Sequence, residues 1–81
     1  MSHRDILRRF IADTFFVEEF SDHESFLRSG IIDSTGMMEL IQFLEEKLSV
    51  RMVDSDLVPE NLDSIDNLLR FIGRKAAVGQ V

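Results

Sequence analysis

Apolar side chains recur at three- and four-residue spacings in three stretches of this chain, the period of a helix with one buried face. Ile6, Leu7, Phe10, Ile11 and Phe15 make the first stripe, which predicts a helix from about Ser2 to Phe16. Ser2 is its expected N-cap and Asp5 its first-turn acid. Met37, Leu40, Ile41, Leu44 and Leu48 fall in one arc of a second helix, opening at Asp33 or Ser34 and running to about Ser49. Ile65, Leu68, Leu69 and Ile72 give the third stripe, opening at Asp63 or Ser64. Arg70, Arg74 and Lys75 sit late in that helix, where cations favour its dipole, and residues 76–81 are expected to fray. No stretch alternates in the manner of a strand. The chain reads as all-α.

Two connections complete the pattern. Val17 to Asp33 loses the period over 17 residues, long for so small a domain. Phe20, Phe26, Leu27, Ile31 and Ile32 are expected to pin it to the core. Val50 to Pro59 reads as a loop with one short helical turn, capped by Asp54, anchored by Leu57 and Val58, and stopped by Pro59. The expected architecture is therefore three main helices, a short one between the last two, and a long first loop. On the second helix, Thr35, Met38, Glu39, Gln42, Glu45 and Glu46 occupy the arc opposite the core. Phe43 lies at the flank of the core arc and belongs clearly to neither.

With 81 residues the chain is expected to be one domain with a thin core. No run approaches the ~20 apolar residues of a membrane span, and the N-terminus lacks the apolar centre of a signal peptide. The cytoplasm is the expected address. The chain has no cysteine, which excludes disulfides, thiolate metal sites and a catalytic thiol. Its net charge of −6 is unevenly spread: residues 1–9 carry +2, residues 70–81 carry +3, and residues 10–69 carry −11. Such a body repels nucleic acid and anionic membranes and attracts partners with basic patches.

Catalytic schemes find little support. His3 and His23 lie outside any ligand-spaced motif, no glycine-rich phosphate loop exists, and no serine has an organised base. Asp54 and Asp56 lack the spacing and glycine of a calcium loop. No catalytic residue and no metal site is assigned. What remains is Gly30-Ile31-Ile32-Asp33-Ser34, where a glycine ends a loop, two apolar residues anchor it, and a serine stands at a helix opening. Asp33 and Ser34 can be read simply as N-cap and first-turn residues. The same geometry also suits covalent attachment of a phosphate, since free N–H groups and the positive dipole end favour it. No base is needed in this chain if another enzyme activates the hydroxyl.

Asp33-Ser34, then Glu39-Leu40, then Phe43-Leu44-Glu45-Glu46-Lys47-Leu48 on an acidic helix, resembles the acyl carrier protein family. Its usual pattern is Asp-Ser-Leu, a few residues, then Glu-Leu. Phe26-Leu27 is similar to the family's loop anchor, Met52-Val53-Asp54 to the entry of its short third helix, and Leu62-Asp63-Ser64-Ile65 to the start of its last. The resemblance implies a four-helix bundle with a short third helix. It also implies 4′-phosphopantetheine on Ser34, transferred from coenzyme A by a Mg²⁺-dependent phosphopantetheinyl transferase. Asp33 would accompany that site, and Thr35, Met38, Glu39, Gln42, Glu45 and Glu46 would meet partner enzymes. Thr35 departs from the family's Leu and Gly36 from its common Asp. The run from Gly30 to Gly36 looks closer to D-alanyl carriers and nonribosomal peptide carrier domains than to the fatty-acid carrier.

The expected function is thus a non-catalytic, monomeric carrier of an acyl or aminoacyl thioester. It would serve fatty-acid, polyketide, nonribosomal peptide or other specialised biosynthesis. A loading ligase and downstream synthase enzymes would be its further partners, with neither nucleic acid nor membrane among them. Thr35 and Phe43 favour a short cargo carried in solvent. The alternative is an unmodified acidic helical adaptor that binds partners through its second helix. Ser34 alone combines a preceding Asp at a helix opening with a downstream Glu-Leu.

Overall fold

Ser2 opens the first helix as expected, its hydroxyl oxygen accepting the Asp5 amide at 3.1 Å. In the computed structural model, which describes the backbone of residues 2–79 and the side chains of residues 2–75, this helix, α1, spans His3–Phe15. Leu7 and Ile11 carry its stripe fully into the core, with Phe10 and Phe15 packed at the margin. Phe16, the expected end of the helix, is its C-cap. It adopts the left-handed conformation (φ 57°, ψ 46°), donates its amide to the Ala12 carbonyl, and is 90% exposed. That conformation costs a residue with a Cβ roughly 1–2 kcal/mol.

The long connection is ordered by named contacts. Ser25 caps a single helical turn, α2 (Phe26–Ser29), through the Arg28 amide, and Gly30 closes the turn at φ 80°. Phe20, Phe26 and Ile32 are buried and Ile31 partly so. Leu27 is not an anchor: it is 44% exposed, because a turn this short can bury only one of two adjacent side chains. Polar ties do the rest. Arg8 on α1 donates to Asp22 at 2.7 Å and to the Phe20 carbonyl at 2.8 Å, with its guanidinium 4.2 Å above the Phe20 ring. Arg4 pairs with the same carboxylate. Asp63 accepts the Leu27 amide on its carboxylate at 2.9 Å and the Phe26 amide on its carbonyl at 2.8 Å.

The helix after this loop, α3, spans Ser34–Lys47, with Asp33 as its N-cap. Leu40 and Leu44 are fully buried, while Met37, Ile41 and Leu48 pack at the core's edge. Phe43 finds its place here: it stacks on Phe10, ring centroids 4.0 Å apart. The helix stops earlier than Ser49, which turns left-handed at φ 55° and lets Val50 fold back, its amide on the Leu44 carbonyl. Gly36 is buried on the core side of α3, where a Cβ would lie 2.7 Å from a ring carbon of Phe15. A late residue of α1 thus meets an early one of α3, and Phe10 meets the later Phe43. The two helices run antiparallel.

The second connection departs further from expectation. Its short turn is a 3₁₀ turn, Asp54–Asp56, entered from Val53 rather than capped by the Asp54 side chain. Leu57 and Val58 are exposed. The turn is held by polar contacts on Asp56: its carboxylate takes the Val53 amide and Lys75 Nζ, and its carbonyl takes Asn61 Nδ2. Pro59 does not stop this turn but begins another helix, α4 (Pro59–Leu62), at the first position, where a missing N–H is harmless. Ser64 then caps α5 (Ile65–Gly79) by accepting the Asn67 amide at 3.1 Å. Its stripe is wider than expected, since Phe71 is buried with Ile65, Leu68 and Ile72. The backbone of 76–79 remains helical; residues 80 and 81, also expected to fray, lie outside the described residues. The helix packs on α1 and α4. Among the described residues there is no strand, and no helix is long and apolar enough to cross a membrane.

Two predictions follow from these contacts. Alanine at an ordinary helix position gains about 1 kcal/mol over glycine, but overpacking a core commonly costs 1–3 kcal/mol. Gly36→Ala should therefore destabilise the wild type by about 1 kcal/mol and stabilise a Phe15→Ala background, read by denaturant titration. Stabilisation in both backgrounds would contradict the close approach of Phe15 to Gly36. The second concerns acid. Burial pushes the Asp22 carboxyl up, but hydrogen bonds from Arg4 and Arg8, and then their charges, outweigh it and hold the group below its usual range. A lowered folded pKa gives stability that is present above the unfolded value, about 3.9, and drains as pH falls through the folded one. Asp22→Asn should flatten the loss of stability below about pH 4. An acid limb as steep as the wild type's would contradict the assignment.

Candidate functional site

The site is built by the turn that delivers the chain into α3. Gly30 reverses direction, and Ile32 sinks into the core with its amide on the Phe26 carbonyl at 3.2 Å. That leaves Asp33 in extended conformation (φ −94°, ψ −175°), the backbone an N-cap residue takes. Its Oδ1 accepts the Gly36 amide at 2.7 Å, and its carbonyl accepts the Met37 amide at 2.9 Å. Of the two N-cap candidates in the sequence, the carboxylate has the role.

Ser34 is consequently the first residue of the helix, exposed and relieved of capping. Its hydroxyl has no hydrogen-bond partner among the described residues. The same holds for the amides of Ser34 and Thr35, which are first-turn donors with no intrahelical acceptor. A hydroxyl and two open N–H groups at the positive end of a 14-residue helix form a place where an oxyanion is favoured. No titratable side chain among the described residues hydrogen-bonds to the Ser34 hydroxyl, so its oxygen needs an outside base to act as a nucleophile.

A second Asp-Ser pair shows how much the surroundings decide. Asp63-Ser64 also stands at a helix opening, yet the roles are exchanged. Ser64 caps α5 and is only 4% exposed, while the Asp63 carboxylate is occupied by the Ser25 hydroxyl and the Leu27 amide. That serine is closed to any enzyme. Sequence alone separates the two pairs by the downstream Glu-Leu; the fold separates them by burial.

The structure brings the remaining expected residues together on α3. Thr35, Met38, Glu39, Gln42, Glu45 and Glu46 are all exposed, and Met38 retains 66% of its surface. They fall in two adjacent strips. Met38 and Glu45 follow Ser34 up one ridge at helical spacing, whereas Thr35, Glu39, Gln42 and Glu46 lie on the side nearer α1. Glu39, Gln42 and Glu46, with Lys47, border an open groove of about 270 Å³ whose floor is the Phe10–Phe43 stack. Gln42 donates to Glu46 at 3.3 Å, and none of the three glutamates has an ion-pair partner among the described residues. The face is acidic with one apolar projection.

Three features escaped sequence reading. Gly36 stands four and eight residues before Leu40 and Leu44, so its place on the core side was available from spacing. Asp63, expected only at a helix opening, holds the long loop through contacts 36 residues away in sequence, for which no local signal exists. Phe16 ends the first helix where spacing puts its end, but its exposure follows from the left-handed cap, which spacing does not show. Comparison with known proteins gives no match: no family model, no curated protein and no solved structure matches the chain.

Proposed function

We propose that this chain is a carrier protein of the acyl carrier type, a four-helix bundle that bears 4′-phosphopantetheine on Ser34 and has no catalytic activity of its own. The observation that carries this reading is the capping of α3 by Asp33, which leaves the Ser34 hydroxyl exposed and unbonded. An attachment residue must be reachable and must not be needed by the fold, and Ser34 meets both conditions. The residues present suit the group. The Ser34 oxygen would form the phosphoester, and the open Ser34 and Thr35 amides would face the phosphate charge. The thiol at the end of the arm supplies what a cysteine-free chain lacks, a sulfur that can hold an acyl or aminoacyl group as a thioester. A phosphopantetheinyl transferase would supply the base and the Mg²⁺, with coenzyme A as donor; its pyrophosphate bond breaks and adenosine 3′,5′-bisphosphate leaves as the serine oxygen takes the phosphate. Met38, Glu39, Glu45 and Glu46, flanked by Thr35 and Gln42, would receive basic surfaces on that enzyme, on the loading ligase and on the synthases that use the cargo.

Co-expression with a broad-specificity phosphopantetheinyl transferase, followed by intact-mass measurement, tests the assignment. One phosphopantetheinyl group per chain is expected, and none on Ser34→Ala. Because Ser34 does not cap the helix, Ser34→Ala should change stability by less than about 0.5 kcal/mol, whereas Asp33→Ala should cost about 1 kcal/mol. An unmodified wild type would favour an acidic adaptor that binds partners without cargo. The docking face has its own test: Glu39→Lys with Glu45→Lys should slow transfer severalfold and weaken its salt dependence, with stability within about 0.5 kcal/mol. Unchanged kinetics would make this face ordinary solvated surface.

A further inference from the structure

Phe16, the residue that caps α1, is strained in its backbone and exposed in its side chain at once. Its backbone lies in the left-handed region, where glycine is the unstrained choice, and its ring is 90% exposed. A phenylalanine here is unfavourable twice, in backbone strain and in apolar surface left in water. Nor is the ring on a loose tip. Phe15 and Val17 on either side both pack against the core, and the Val17 amide reaches the Ala12 carbonyl at 3.2 Å. The ring is displayed from a fixed base, and such preorganisation favours a binding anchor.

We propose that Phe16 is an aromatic anchor for the phosphopantetheinyl transferase that modifies Ser34, entering an apolar pocket with a basic rim on that enzyme. This rests on the carrier reading above. Two observations select the occupant. The first is position. Phe15 lies against Gly36, two residues beyond Ser34, so the end of α1 and the opening of α3 share one end of the molecule. The second is charge. Asp13, Glu18 and Glu19 surround Phe16 in sequence and are exposed. Only Asp13 has a cation near it among the described residues, Arg9 at 3.9 Å, with both side chains about three-quarters exposed. Exposed acids three residues before and two and three residues after an exposed aromatic side chain fit a pocket rimmed by Lys or Arg. They do not fit a second copy of a chain whose net charge is −6.

The test uses the full unmodified chain, coenzyme A, Mg²⁺ and a broad-specificity phosphopantetheinyl transferase, with initial rates measured against chain concentration. Phe16→Gly should raise Tm by about 4 °C as strain is relieved, yet lower kcat/KM at least tenfold, chiefly through KM. Phe16→Tyr, which keeps the ring, should transfer at close to the wild-type rate. A gain in stability together with a loss of transfer separates a docking role from a structural one. Wild-type rates in Phe16→Gly, with the wild type itself modified, would overturn the anchor and leave the carrier assignment standing. A Phe16→Tyr rate as low as that of Phe16→Gly, or a wild-type dimer that Phe16→Gly dissociates, would also overturn it. No modification of the wild type would remove both.

Discussion

The contact of the Phe15 ring with the backbone of Gly36 governs how this molecule presents its serine. It brings the last turn of α1 against the first turn of α3 at a distance that excludes even a methyl group. Ile32 fills the adjacent space, within 3.1 Å of where that Cβ would stand. With residue 36 held against α1 and residue 32 buried beside it, the segment between them has little freedom. Asp33 is left in the extended conformation from which its carboxylate reaches the Gly36 amide, and Ser34 is turned outward. The exposure of one hydroxyl thus follows from packing on the opposite side of the helix.

The long loop is the second requirement, because the turn into α3 is only as ordered as the segment that leads to it. Ordering a residue's backbone costs about 1–2 kcal/mol, so 17 residues outside a main helix need compensation. Burial of Phe20, Phe26 and Ile32 supplies the apolar part. Arg8 and Asp63 supply direction: one ties the front of the loop to α1, the other ties its middle to the junction of α4 and α5. The same tie engages the Asp63 carboxylate and leaves capping of α5 to Ser64, which is why that serine is closed. One polar junction therefore orders the loop and removes the competing Asp-Ser pair.

Sequence reading reached the parts of this fold that depend on local period. The stripes of α1, α3 and α5, the Ser2 cap and the opening of α3 within one residue are all visible in spacing. It failed where a neighbour distant in the chain decides. Leu27, Leu57 and Val58 look like anchors by composition, but polar contacts from Asp63 and Lys75 hold their segments and the three side chains stay exposed. Pro59 can end one element or begin another, and nothing local distinguishes the two. The candidate site was legible because it lies on one helix face: Ser34, Met38 and Glu45 on one ridge, Thr35, Glu39, Gln42 and Glu46 beside it. Whether Asp33 or Ser34 caps α3 was not legible, since both side chains are competent and only the packing of Ile32 and Gly36 selects between them.

Position in the fold, rather than the Asp-Ser dipeptide, leaves Ser34 exposed and Ser64 buried. Tandem mass spectrometry of the wild-type chain after reaction with coenzyme A, Mg²⁺ and a phosphopantetheinyl transferase tests whether that difference decides modification. All added mass should reside on the fragment containing Ser34, with Ser64 unmodified even at long reaction times. Added mass on Ser64, or on neither serine, would contradict it.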